Sequence, residues 1–543
     1  MIITGDNLTI YSLAKSAKNL KERFELDKNA VAKIKAARKV VDNVIDGDKA
    51  VYGINTGFGK FANVSISKDD TALLQKNLIL SHACGIGNPL PIDVVRAMLI
   101  LRINALSIGH SGINLDTVNL MMEFLNRGIT PVVPEKGSLG ASGDLIPLAH
   151  MSLPLLGLGE VFYKGRRVDS KAALEKEGLI PIELGAKEGL ALINGTQAMC
   201  ALIALALYDA KVLIRSADVI SALTCEALCG ITDAYDERLH KARGQAGQML
   251  VAGNLRKLLK GSRMAKKSGG GDPSASTSLC SVSAQDDNGE KCCHPERSTK
   301  CEAEGSLPAA NRVQDAYTLR CIPQIHGASR DALDYIEGIV EKEMNAVTDN
   351  PLIFAKGGDV ISGGNFHGQY LAIAGDYLAI AMSEIANVSE RRTERLVNPQ
   401  LSNGLNAFLV KNGGLNSGFM IPQYAAAALV SENKVLSHPA SVDSITSSAN
   451  QEDHVSMGMT AARKAAVIVS NVAEVLGIEL MCAGQAAELR GIDGLSASGR
   501  KVFDRLRKDV CFVEEDMYLA PLMSKCSGLV RSGEVLRVAG KVE

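Results

Sequence analysis

The sequence predicts a mainly α-helical protein, and three observations carry that reading. Of its 543 residues 46% are hydrophobic but only 4% aromatic, with no Trp at all. That Ala- and Leu-rich composition suits closely packed helices better than an aromatic-rich sheet. Segments 197–226, 367–397 and 458–488 are long, Ala-rich and apolar on more than one face, as inner helices of a bundle are. Strand signals are thin: a single hairpin is expected near Val161-Phe162-Tyr163, returning through Val168.

Taken in order, the first clear helix follows Asp27, a suitable N-cap residue. Val31, Ile34, Ala37, Val41 and Val44 then recur at three- and four-residue steps. Residues 91–108 predict a second helix. A glycine-punctuated stretch, GSLGASGDLIPLAH, covers 137–150, and on the plainest reading Ser142 or Asp144 caps a helix entering at Leu145-Ile146. The apolar stretch 198–207 is too short to span a bilayer and follows polar Asn194, Thr196 and Gln197, so a buried helix is expected. We expect a division into an N-terminal part, 1–190, and a helical core with C-terminal helices, 191–543.

Residues 265–310 break the pattern. They hold eight serines, a Gly269-Gly270-Gly271 run and no aromatic residue. Such a segment cannot bury enough apolar surface to offset its ordering entropy, and it reads as a disordered insertion. Cys280, Cys292, Cys293, His294 and Cys301 lie within it, but without a Cys-x-x-Cys knuckle the spacing argues against zinc.

Charge and cysteine usage exclude several function classes. Lys and Arg number 59 against 60 Asp and Glu, so nucleic acid has no electrostatic support as a partner. The opening Met-Ile-Ile-Thr-Gly-Asp is no secretory leader. Twelve cysteines at this length make no disulfide framework. Cys84, Cys200, Cys225, Cys229, Cys321 and Cys482 are expected to be reduced core thiols, and the chain reads as cytosolic, with no membrane association.

The glycine-rich loop suggests chemistry beyond capping. Gly137, Gly140 and Gly143 permit a bend that residues with a Cβ would resist. Such a bend brings the Gly143 amide nitrogen onto the Ala141 carbonyl carbon. Attack and loss of two waters would close a five-membered imidazolone and turn Ser142 into an exocyclic methylene, an electrophile that ordinary side chains do not supply. The tripeptide alone is not decisive, because Ala497-Ser498-Gly499 repeats it.

Context separates the two. Residues 137–150 resemble the prosthetic-group loop of the aromatic amino acid ammonia-lyases, which form a 4-methylidene-imidazol-5-one (MIO) from Ala-Ser-Gly. VYGINTGFG (51–59), LINGTQ (192–197), VQDAYTLRC (313–321) and ANQEDHVSMG (449–458) resemble blocks of the same family. The resemblance runs from about residue 50 to about 490 and is closest to the histidine-lyase branch. It implies a long central helical bundle, a loop-rich N-terminal part carrying the electrophile at Ala141, Ser142 and Gly143, and a homotetramer with active sites shared between subunits.

The resemblance also implies residue roles. Tyr52 matches the tyrosine that takes the substrate β-proton, which requires its pKa to fall well below about 10. Arg320 matches the arginine whose fork grips the substrate carboxylate, with Gln314 and Tyr317 lining the same pocket. Asn194 matches a residue near the amine and carboxylate, and Phe366 the aromatic beside the electrophile. Ser81-His82 occupies the ring-selectivity pair, and Glu452 the histidine branch's glutamate. A carboxylate there would accept an imidazole N–H, whereas a phenyl ring would leave it unpaired. His326 is open between a pocket group and a supporting one, while His367, His438 and His454 read as structural.

The implied reaction is elimination of ammonia from L-histidine to give trans-urocanate, without metal or nucleotide. Two alternatives stand beside it: a tyrosine or phenylalanine lyase or aminomutase using the same group, and a non-catalytic scaffold of the same fold.

Overall fold

The computed structural model describes residues 1–47, 51–57, 66–67, 70–268, 313–540 and 542–543. Residues 269–310 of the expected insertion, with all its cysteines and His294, lie outside the described residues.

Helices dominate, as expected. Asp27 caps Lys28–Ile45, its side chain accepting from the amides of Asn29 and Ala30. Ile92–Ser107 is buried along nearly its whole length. The three long helices are Gln197–Ala227, Gln369–Val397 and Gly458–Arg490. Length and composition would let all three cross a bilayer, which the uninterrupted stretch 198–207 did not reveal. Their most apolar windows are 78%, 67% and 72% buried within the protein itself.

The β-structure is confined to small sheets. The expected hairpin pairs Glu160–Tyr163 with Arg166–Asp169, Val161 facing Val168, and Thr130–Pro131 adds a third strand. Of the six thiols expected in the core, Cys200, Cys225 and Cys482 are buried. Cys229 and Cys321 are partly exposed, and Cys84 is exposed, because it lies just past the end of helix Thr71–His82.

Two compact units divide the chain. The first comprises Met1–Asp209, Ala332–Ile380 and Leu436–Val469; the second comprises Ala210–Asp331, Ala381–Val435 and Ser470–Glu543. Both have polar interiors. In the first, Lys187 donates to Asp349 at 2.8 Å, with both side chains buried. Glu188 accepts from Thr117 Oγ1 at 2.6 Å, Asn114 Nδ2 at 2.7 Å and the Gly185 amide at 2.7 Å.

In the second unit a buried network centres on Glu479. Arg392 donates to it through Nε at 2.6 Å and Nη2 at 2.8 Å, Thr224 at 2.8 Å and Ser389 at 2.5 Å. Arg392 Nη1 also lies 3.4 Å from His326 Nε2, and His326 Nδ1 lies 2.8 Å from Asp218. A guanidinium can only donate, so Nε2 accepts and Nδ1 carries the proton: His326 is neutral. Burial, which lowers its pKa, agrees. Arg330 completes the charge balance by donating to Asp218 at 2.7 Å. His326 is therefore part of this unit's core.

Glu479→Ala would leave Arg392 buried and uncompensated. We expect unfolding free energy to fall by about 3–5 kcal/mol, read as an earlier denaturant midpoint. An unchanged midpoint would show that the network contributes nothing.

Candidate active site

The site begins where two backbones meet. Gly143 sits at φ 73°, a left-handed conformation that favours glycine, and a Cβ there would overlap the Gly195 carbonyl. Gly143 and Gly195 form a short parallel bridge, and the Asp144 amide donates to the Gly195 carbonyl at 2.7 Å. Asn194, at the end of helix Glu188–Ile193, donates through Nδ2 to the Ser142 carbonyl at 3.0 Å. The loop is thus pinned on one side by residues 194–195.

A second segment pins the other side. The Ser456 amide and hydroxyl both donate to the Gly140 carbonyl, at 3.2 and 2.9 Å, and the Met457 amide donates to Leu139. Val455 and Met457 pack on Ala141. The same segment delivers Glu452, whose Oε1 accepts from Ser142 Oγ at 2.8 Å and whose Oε2 accepts from Ser447 at 3.0 Å. Glu452 is further fixed by backbone bonds to Ser447 in both directions. The chain reaches it through three consecutive left-handed residues, Ser448, Ala449 and Asn450. That conformation costs roughly 1–2 kcal/mol for each residue bearing a Cβ, and such strain concentrates at functional sites.

His82 ends helix Thr71–His82, with Nδ1 2.8 Å from the Leu78 carbonyl. Burial lowers its pKa, while that carbonyl and the charge of Glu452 pull the other way. The electrostatic coupling places His82 and Glu452 in one neighbourhood. Tyr52 is half-buried beside Gly53, and the Phe366 carbonyl borders Gly143. The rings of His367 and His454 stack in parallel at 5.9 Å, tying the Phe366 and Glu452 segments together.

The structure therefore gathers Ala141, Ser142, Gly143, Asn194, Glu452, His82 and Phe366 in the first unit. Gln314, Tyr317 and Arg320 belong to the second and form their own cluster. There Arg320 donates to Gln314 Oε1 and lies over the Tyr317 ring at 4.7 Å, with Tyr317 68% exposed. Asp315, accepting from the Ile231 amide at 2.5 Å, and Tyr235, donating to the Leu319 carbonyl at 3.0 Å, fix that turn.

Asp144 differs from the simple capping expectation. It precedes helix Leu145–Ser152 but makes no side-chain cap there. Its carboxyl instead accepts from the Met199 amide at 2.8 Å, in the first turn of helix Gln197–Ala227, and from Ser138 at 3.2 Å. Full burial pushes its pKa up to about 7, against the lowering effect of those bonds. The second Ala-Ser-Gly has a different setting. Ala497 opens helix Ala497–Asp509, Ser496 caps it by accepting from the Gly499 amide at 3.0 Å, and Glu226 accepts from the Ser496 amide. An amide engaged in a helix cap is not presented to a carbonyl carbon two residues earlier.

The residues at 141–143 fit the closed ring. A glycine is obligatory at 143, the flanking segments hold both ends of the tripeptide, and the Ser142 hydroxyl is oriented by a carboxylate. Among the described residues no cluster of His, Cys, Asp and Glu suits a metal ion.

A mainly helical fold presenting such a loop to a glutamate defines an ammonia-eliminating carbon–nitrogen lyase. The chain belongs to the aromatic amino acid lyase family, whose model matches residues 8–508. Histidine ammonia-lyase of Alkaliphilus oremlandii is 51% identical over 541 residues, covering 100% of this chain and 98% of that protein. The crystal structure of histidine ammonia-lyase from Trypanosoma cruzi superposes with a TM-score of 0.86 at 41% identity, over 99% of this chain and 94% of that one. Tyrosine aminomutase from Streptomyces globisporus gives 0.89 at 33% identity, over 100% of both chains.

Asp144 supplies a pH test. Its folded pKa lies above the unfolded carboxyl value, so the folded state holds the extra proton and stability falls as pH rises from about 4 to about 7. Asp144→Asn removes that titration. Its thermal midpoint relative to the native chain should rise across this window and level off above it; a constant difference would contradict the assignment.

Proposed function

We propose that the chain eliminates ammonia from L-histidine to give trans-urocanate, using an MIO group formed from Ala141-Ser142-Gly143. The observation that carries this is the 2.8 Å bond from Ser142 Oγ to Glu452, in the neighbourhood of His82. It sets a carboxylate at hydrogen-bonding reach of the loop, where an imidazole N–H can meet it. The MIO group supplies an electrophilic carbon for the substrate amine, making nitrogen a better leaving group.

The chain's own residues do the rest. Arg320 grips the substrate carboxylate with its fork, and Asn194 orients the amine end. Gln314 and Tyr317 support the Arg320 end, and Phe366 flanks the loop at Gly143. Glu452 accepts the imidazole N–H, and His82 completes the ring-binding end. Tyr52, as its phenolate, removes a β-proton while the carbon–nitrogen bond breaks and the carbon–carbon double bond forms. Ammonia and urocanate leave. A phenyl substrate would leave Glu452 Oε1 unsatisfied, with only Oε2 still held by Ser447, costing roughly 1–3 kcal/mol. We further propose a cytosolic homotetramer with shared active sites. The reduced state of Cys84, Cys200, Cys321, Cys482, Cys511 and Cys526 supports the compartment.

Incubation with L-histidine should raise urocanate absorbance, and Ser142→Ala should fold yet abolish it. Glu452→Gln should lower kcat/KM for histidine roughly 10- to 100-fold, the loss of one charge-assisted hydrogen bond. Cinnamate, coumarate or a β-amino acid as the main product would instead identify another lyase or an aminomutase. No product from any of these substrates would favour the scaffold.

A further inference from the structure

Arg102 is a fully buried cation that the chemistry above does not use. It projects from helix Ile92–Ser107, and among the described residues no carboxylate pairs with it, since neighbouring Asp349 bonds Lys187. Its partners are neutral: Nη1 donates to the Asn194 carbonyl at 2.9 Å and to Gln197 Oε1 at 3.0 Å, and Nη2 donates to the Ala191 carbonyl. Two of these are carbonyls at the C-terminal end of helix Glu188–Ile193, where positive charge is favourable. Gln197 is held in turn by donating to Thr348 Oγ1 at 2.8 Å, and Thr196 by donating to Glu343 at 2.7 Å.

An unpaired buried charge is costly, and an apolar side chain of similar volume would suit packing better. What the guanidinium achieves is geometric. It fixes residues 191, 194 and 197 at once, and these span the turn that offers Asn194 Nδ2 to Ser142 and the Gly195 carbonyl to Gly143 and Asp144. A Cβ on Gly195 would overlap both Arg102 and Gln197, so the turn has no slack toward the arginine.

We infer that Arg102 is a positioning residue for self-processing: its fork, with Gln197 and Thr348, holds the 194–197 turn as the rigid platform on which Ala141-Ser142-Gly143 closes. This rests on the MIO reading. The effect is on maturation and not on substrate binding, because the guanidinium's hydrogen-bond partners among the described residues, Ala191, Asn194 and Gln197, lie behind the loop. Lysine would keep the charge but cannot reproduce the planar fork.

The test is the mass of the peptide covering 137–150, taken from folded protein isolated by size-exclusion and checked by circular dichroism. Native protein should give a peptide lighter by two waters than its sequence. In Arg102→Lys, and more mildly in Thr348→Val, the lighter fraction should fall several-fold, while KM for L-histidine on the matured fraction stays at the native value. A folded Arg102→Lys protein that matures as completely as the native chain would overturn the inference. If Arg102→Lys does not fold, Thr348→Val decides, and unchanged maturation there overturns the inference too. An unmodified native loop would overturn the MIO reading itself and this inference with it, and Ser142→Ala, which cannot lose the second water, marks that baseline.

Discussion

The backbones of Gly143 and Gly195 meet with no room for a Cβ at Gly143, and the rest of the site is arranged around that contact. On one side stand Asn194 and the Gly195 carbonyl, themselves fixed from behind by Arg102 and Gln197. On the other side Ser456 and Met457 hold Gly140 and Leu139. A loop fastened at both ends while its middle is kept bent has already met much of the entropic cost of ring closure. The same fastening delivers Glu452 to the Ser142 hydroxyl, so loop geometry and pocket chemistry are set by one packing arrangement.

The charged groups around this contact are handled in different ways. Lys187 and Asp349 neutralise one another inside the first unit. Asp144 is buried against neutral donors, the Met199 amide and the Ser138 hydroxyl, and burial raises its carboxyl pKa to about 7. In the second unit Arg392, Glu479, Arg330 and Asp218 balance in a single network, with His326 bridging as a neutral ring. Breaking such networks is expensive, although forming them adds little net stability. Their value here is a fixed geometry for the helices that carry them.

Much of the fold was legible because local patterns governed it. The Asp27 cap, the three long Ala-rich helices and the Val161 hairpin follow from periodicity and capping chemistry. Distant partners were not legible. Asp144 looked like a cap for its own helix, whereas the amide it serves belongs to Met199, 55 residues on. Arg102 and Glu479 carry charges that sequence reasoning assigns to solvent, and only tertiary packing reveals their burial. His326 stayed undecided because its partners come from residues 218 and 392. Cys84 resembled a core thiol through its apolar neighbours, yet the end of its helix leaves it exposed. The two Ala-Ser-Gly tripeptides were separable by motif context, and the structure adds the physical reason: one is bent against a carbonyl, the other opens a capped helix.

The proposed chemistry depends on the bent loop closing on itself while held against Gly195. A crystal structure of the purified protein tests it most directly. Its density should show a five-membered ring joining residues 141–143, carrying an exocyclic methylene in place of the Ser142 hydroxyl. Asn194 and the Gly195 carbonyl should remain against that ring, with Glu452 alongside. An open Ala-Ser-Gly chain retaining the Ser142 hydroxyl in active protein, or a ring displaced from Gly195, would contradict it.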